Sequence, residues 1–347
     1  MFLPEGLLVP AALVAMASFL LCAAARSIAP VIGLMDHPDV RKHHATPTPL
    51  MGGGVVLCVL LPAFAYVALV APTSWPEAVG ITVAVGCMTL LGLLDDIFDQ
   101  PAVYRLVVAS VVFVAITWFF PGLRLPIIEL QQPDITFVLD RAWVAVGFTS
   151  ICCVGLVNAI NMADGKNGLV PGLMLGWSLL LLFCAPVQLA GLLLLLVIAI
   201  AALFLFNVRG FLFLGDGGAY GLATAIGLLA IAVYNHPANP SPKAVPADVI
   251  LLLFMVPVLD LFRLMVTRTM AGKTPFTPGR DHLHHYLQNW LGWPGGLLAY
   301  WCLSLAPASL KIIYQSNSIV LMIVAVSIYV IIIWRVPRGA SIVVQNP

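Results

Sequence analysis

Eleven stretches of this 347-residue chain run for about twenty residues with almost no charged side chain, the length an α-helix needs to cross a bilayer. They fall at residues 7–26, 51–70, 78–94, 103–120, 142–160, 169–184, 187–207, 219–234, 247–266, 297–313 and 319–334. A backbone in hydrocarbon must satisfy its own hydrogen bonds. The expected fold is therefore an all-α polytopic membrane protein of about eleven transmembrane helices. Only 9 % of residues are charged and 61 % are hydrophobic, against about 25 % charged in soluble domains. That excludes a soluble globular fold, and disorder with it. A net charge of +1 leaves no basic stripe for nucleic acid. The spans use about 220 residues, so a single integral membrane domain is expected over residues 1–347. The first span reads as retained, not as a removed signal peptide.

The basic residues set the expected orientation. With the N-terminus periplasmic and the C-terminus cytoplasmic, twelve of the sixteen Lys and Arg fall on the inner side, and Arg124, Arg141, Lys243 and Lys311 fall outside. The inner loops are then 27–50, 95–102, 158–168, 207–218 and 267–296. The outer segment 121–141 reads as a short hairpin around Gln132-Pro133-Asp134. Every inner acid is Asp, all three Glu lie outside, and six of the seven His lie inside. Such a surface suits a metal–diphosphate site. The seven Cys lie in apolar segments without ligand spacing and read as packing residues.

Five inner clusters carry the polar chemistry. "DHPDVRKHHATPTPLMGGG" brings Arg41, Lys42, His43 and His44 to a glycine-rich helix entry, where open N–H groups could meet an anion. A plain positive-inside loop fits as well. "LLDDIFD" places Asp95, Asp96 and Asp99 at a helix C-terminus, the wrong end of the dipole for acids unless a cation or strong donors offset them. "NAINMADGKNG" puts Asn158 and Asn161 one turn apart, then Asp164, Lys166 and Asn167 in turn pairs,. It fits ligand contact or an Asn-rich helix stop. "GDGGAYG" flanks Asp216 with glycines, equally a metal carboxylate or an N-cap. "TPFTPGRDHLHHYL" supplies Arg280, Asp281, His282, His284 and His285. With Thr277 and Pro278 as N-cap and N1, His282 and His285 would share a face and His284 would turn away. The His spacing matches no standard zinc site, so phosphate or metal–phosphate contact is preferred. Asp260 and Arg263, at i and i+3, read as a structural ion pair in preference to a catalytic one.

In this order, from Asp36 to Leu287, the five clusters resemble the polyprenyl-phosphate N-acetylhexosamine-1-phosphate transferase family, of glycosyltransferase 4 type. The short "RKHHATPTP" entry and "DHLHH" look like its bacterial undecaprenyl-phosphate N-acetylglucosamine-1-phosphate branch. The peptidoglycan branch, transferring phospho-N-acetylmuramoyl-pentapeptide, is the alternative, but its TPTMGG-type entry and consecutive His run are not seen. The resemblance implies a bacterial inner-membrane enzyme with an active-site cleft on the cytoplasmic face. It would transfer sugar 1-phosphate from a UDP-N-acetylhexosamine to undecaprenyl phosphate, release UMP and initiate a cell-envelope polysaccharide such as O-antigen. It implies Mg²⁺ or Mn²⁺, a membrane-lipid environment, and a homodimer as one form. It carries catalysis onto Asp95 and Asp96, and metal onto Asp216 with Asp95. Nucleotide or sugar contact falls on Asn158, Asn161, Asp164, Lys166 and Asn167. Phosphate contact falls on Arg41, Lys42, His44, Arg280, His282, His284 and His285. Two departures stand out: Asn167 replaces the family's frequent second Asp, and Lys166 is less usual there.

A secondary transporter is the rival class, but it would place polar groups near the midplane, often in repeated halves. Here they sit at one edge and no repeat is visible.

Overall fold

The computed structural model describes residues 6–38, 46–70, 76–236, 245–275, 279 and 281–335. Arg41, Lys42, His43, His44, Thr277, Pro278 and Arg280 lie outside the described residues. The chain divides into two compact units, Met1–Ala247 and Asp248–Pro347.

Each expected span becomes helix. In the first unit α1 (Leu8–Ala23) and α2 (Ala25–Ile32) form a pair bent by 70°. The second span is broken into α3 (Gly52–Val55), a π-helical turn (Val56–Leu60) and α4 (Leu61–Val70). Then come α5 (Pro76–Phe98), α6 (Ala102–Phe119), α7 (Ala142–Ala163), α8 (Leu169–Cys184), α9 (Val187–Asn207) and α10 (Gly215–Asn235). The second unit holds α11 (Ala247–Met270), α12 (Leu283–Leu291), α13 (Gly295–Tyr314) and α14 (Ser318–Arg335). Among the described residues nine helices are long and apolar enough to cross a membrane, and the bent α1–α2 pair makes a tenth. The sixth expected span is α8, apolar but only 16 residues long.

The first unit is built around α10. Every side chain from Gly217 to Tyr234 is buried, so this helix meets protein on all sides. Its run of Gly, Ala and Thr lets neighbouring backbones come close where lipid offers no hydrophobic drive to pack helices. α5, α7, α8 and α3 all pack on it.

A second layer of contacts fixes the two ends of α10. At its C-terminal end lies the expected hairpin, β3 (Ile127–Leu130) against β4 (Ile135–Val138), antiparallel. Tyr234 Oη accepts the Glu129 N–H at 2.8 Å and donates to the Ile127 carbonyl at 2.9 Å. Asn235 donates to the Gly122 and Arg124 carbonyls. At the other end a short ladder, β1 (Met35–Asp36) with β2 (Thr48–Pro49), leads into α3. Phe213 N–H donates to Pro49 O at 2.8 Å, and Met51 and Gly52 donate to Phe213 and Leu214. The first and fourth clusters are thus stitched together by backbone hydrogen bonds.

In the second unit a buried ion pair links α11 to α13: Lys311 Nζ lies 3.8 Å from Asp248 Oδ2. Ser318 at the start of α14 donates to the same carboxylate. A buried carboxylate is tolerated when it is paired in this way.

Candidate active site

Sequence periodicity ends the third span at residue 94, but α5 runs to Phe98. Asp95 and Asp96 are therefore both helical and point to different partners. Asp96 Oδ1 accepts the Asp216 N–H at 2.8 Å and Oδ2 accepts the Gly217 N–H at 2.9 Å. These are first-turn donors of α10, which have no partner within their own helix. The apparent misplacement of Asp96 at a helix C-terminus is resolved by the positive N-terminus of α10. Asp95 is buried; its Oδ1 accepts the Gln100 N–H at 2.8 Å and its Oδ2 accepts from Arg105 of α6. The same Arg105 nitrogen lies 3.6 Å from Asp216 Oδ2. Tyr220, one turn into α10, lies beside Arg105. Asp99 takes a left-handed conformation (φ 48°) and is exposed.

Two glycines set this geometry. A Cβ on Gly92 would overlap the Asp216 carbonyl and lie 2.6 Å from Gly217 N. A Cβ on Gly52 would lie 2.6 Å from Leu214 Cδ1 and 3.0 Å from Gly218 Cα. The expectation that the run beginning at Gly52 opens its N–H groups to an anion is thus not met at Gly52. That residue is buried and donates to Leu214 O at 3.0 Å, because the close approach of α3 to α10 uses the missing side chain.

The third cluster lies where α7 gives way to α8. Asn158 and Asn161 occupy one face of α7, and Asn158 Nδ2 donates back to Val154 O at 2.8 Å. Asp164 is the residue after the helix and is half-buried. Burial pushes its carboxyl up to about 7, and the nearby Asp96 charge acts in the same direction. Lys166 and Asn167 are half-buried, and the Asn167 amide lies over Gly210. The buried Asn207 joins this loop to the one before α10: its Oδ1 accepts the Gly168 N–H at 2.7 Å and its Nδ2 donates to Leu212 O at 3.1 Å. Clusters one to four are therefore connected within the first unit.

The His cluster belongs to the second unit. Its helix, expected from Thr277, starts at Leu283 with His282 as an extended N-cap residue (φ −77°, ψ 150°). Because His282 is not in helical phase, the i, i+3 reasoning that turned His284 away does not apply. His284 is buried, and its ring lies 5.4 Å from that of His282 and 4.3 Å from that of His285. The expected Asp260–Arg263 ion pair forms at 2.8 Å.

In the sequence Arg105 is one of the twelve inner positive charges and nothing more, and Asn207 and Tyr220 carry no role there. A lone Arg in an apolar helix was the available signal. Asn207 carried none, since its role depends on two loops that meet only in the fold.

The donor set can be tested against a divalent cation. Asp95 and Asp216 turn hard carboxylate oxygens toward the same Arg105 nitrogen. Among the described residues no three His, Cys, Asp or Glu side chains gather as a self-sufficient metal site. Mg²⁺ commonly takes one or two carboxylates and completes its shell with substrate phosphates and water. Two adjacent carboxylates fit that mode.

A model of glycosyl transferase family 4 matches residues 78–234, which hold clusters two to four. The chain is 30 % identical over 275 residues to the undecaprenyl-phosphate alpha-N-acetylglucosaminyl 1-phosphate transferase of Yersinia pestis, covering 76 % of this chain and 72 % of that protein. It is 26 % identical over 277 residues to the enzyme of that name from Escherichia coli K12, covering 76 % and 71 %. For that of Salmonella typhi the figures are 27 % over 275 residues, covering 75 % and 71 %.

Proposed function

The chain belongs to glycosyl transferase family 4, and from that premise we propose that it transfers N-acetylglucosamine 1-phosphate from UDP-N-acetylglucosamine to undecaprenyl phosphate. UMP leaves, and the product is the lipid-diphosphate sugar that starts a cell-envelope polysaccharide such as O-antigen. The chemistry takes place at the cytoplasmic face of a bacterial inner membrane. The observation that carries the reading is the constellation of Asp95, Asp96, Arg105 and Asp216, tied together across α5, α6 and α10.

Both substrates are anions, so the site must lower their repulsion. The acceptor phosphate has a second pKa near 6 and is largely dianionic near neutrality. Its oxygen attacks the donor's β-phosphorus in line; the bond from that phosphorus to the UMP oxygen breaks as the new P–O bond forms. No strong base is needed. Asp95 and Asp216 would hold Mg²⁺, or Mn²⁺, which when bound offsets charge on the diphosphate. Arg105 keeps the two carboxylates together and adds positive charge. Asp96 anchors the first turn of α10 and so fixes Asp216; its remaining lone pairs can orient the acceptor. Asn158, Asn161, Asp164, Lys166 and Asn167 recognise nucleotide or sugar. His282, His284 and His285, with Arg41, Lys42, His44 and Arg280, contact phosphate.

A donor panel tests this. Purified protein would receive UDP-N-acetylglucosamine and its N-acetylhexosamine analogues with undecaprenyl phosphate and Mg²⁺, scored by lipid product mass. The N-acetylglucosamine product should dominate and vanish in Asp216→Ala. Undiminished UMP release by that variant would sink the assignment of the site.

A further inference from the structure

In the second unit one buried carboxylate divides its two oxygens between different tasks. Asp260 Oδ1 accepts from Arg263 Nη2 at 2.8 Å and from the Tyr329 hydroxyl at 2.8 Å. The first lies within α11 and the second holds α11 to α14. Oδ2 faces α12: it accepts the Leu283 N–H at 3.2 Å and lies 3.3 Å from His282 Nδ1. Arg263 also donates to the Asp281 carbonyl and to Tyr329 Oη, so the residue before His282 is clamped too. Asp260, His282, Leu283 and Tyr329 are buried, Arg263 is half-buried and Asp281 is exposed. A bare helix cap needs only the contact to Leu283, and a bare ion pair only Arg263. Neither role calls for an imidazole nitrogen beside the oxygen that caps α12.

We infer that Asp260 is a positioning residue that acts through His282. By accepting from Nδ1–H it fixes the tautomer and the ring plane, and leaves Nε2 as the edge offered to an anionic phosphate oxygen of the substrate. A carboxylate behind an imidazole orients it in this way in metal sites and in hydrolase triads. The inference rests on the proposed phosphate contact of the His cluster for its catalytic meaning, but not for its structural content.

The informative substitution is Asp260→Asn. Arg263 and the Tyr329 hydroxyl are donors, so the new amide must keep its oxygen toward them. Its NH₂ group then faces His282 Nδ1, which drives the ring proton to Nε2, and gives up the bond from the Leu283 N–H. The experiment is ¹⁵N NMR of histidine-labelled full-length protein in nanodiscs, with His282 assigned by its loss in His282→Gln. It is run beside steady-state kinetics with UDP-N-acetylglucosamine and undecaprenyl phosphate. In the unsubstituted protein His282 should be protonated at Nδ1, and in Asp260→Asn at Nε2. Asp260→Asn should lower kcat by about 10–100-fold, as loss of an orienting partner does, with a much smaller change in KM. The double variant should be no slower than His282→Gln alone. A bare Nδ1 in the unsubstituted protein overturns the inference even if Asp260→Asn fails to fold. So do losses that multiply in the double variant. Absence of transferase activity in every sample would remove the proposed function, while the NMR pattern would still decide the role of Asp260.

Discussion

The sharpest steric consequence of the fold is at Gly92. An alanine Cβ there would sit 2.6 Å from Gly217 N and closer still to the Asp216 carbonyl, whereas ordinary contact begins at 3.4 Å. Both neighbours are backbone, so α5 and α10 must part by about 0.8 Å or more. Overpacking of this kind costs about 1–3 kcal/mol. The larger effect is on activity. The displaced atoms belong to the residues that hold Asp96 and Asp216, and a shift near 1 Å can cost about 10²-fold in rate. Gly86→Ala on the same helix is the control, since its Cβ would meet Leu61 Cδ1 at 3.4 Å. The assay is UMP release by the purified variants beside their thermal unfolding in detergent. Gly92→Ala should lose most activity with only a modest fall in Tm, and Gly86→Ala should behave as the parent. Full activity in Gly92→Ala would refute the claim that this contact sets the site.

Other consequences are as direct. Asp96→Asn leaves one first-turn N–H of α10 facing an amide donor in place of an acceptor, a loss of about 1–3 kcal/mol; thermal unfolding should show it, together with lost activity. Arg105→Gln strips the cation from between Asp95 and Asp216, so added Mg²⁺ should raise Tm more in the variant than in the parent; an equal shift would argue against carboxylates that accept Mg²⁺. Asn207→Leu breaks the bonds to Gly168 and Leu212 and should raise the donor KM by displacing the 164–168 loop, read from saturation curves. Asp164 holds its proton up to about pH 7 in the folded protein, against near 4 for an ordinary carboxylate. Its contribution to stability is fully present below about pH 4 and is lost as pH rises to about 7,. Tm should therefore decline between about pH 4 and 7, and Asp164→Asn should flatten the decline.

The apolar runs announced the helices well, because length and hydropathy alone decide what can cross a bilayer. Leu169–Cys184 and Val187–Asn207 begin and end where the pattern put them. The pattern failed where tertiary partners override local signals. α5 continues through two acids because Arg105 and the N-terminus of α10 satisfy them. Residues 7–32 read as one span and a loop, yet they form a helix pair bent at Ala24. The motif carboxylates were legible as a group, but their division of labour was not. Adjacent residues on a helix face different neighbours, and only the packing of α5 on α10 shows that Asp96 caps while Asp95 pairs. Asp260 and Arg263 were readable as a pair from their spacing. His282 and Tyr329 were not, since they come from 22 and 69 residues away along the chain.

The position of bond cleavage tests the account most directly. Donor labelled at the β-phosphorus, incubated with undecaprenyl phosphate and the purified protein, should place the label in a lipid-diphosphate sugar and release unlabelled UMP, and Asp216→Ala should do neither. Label found in released UDP, with a lipid carrying a single phosphate, would mean glycosyl rather than phosphoryl transfer and would contradict it.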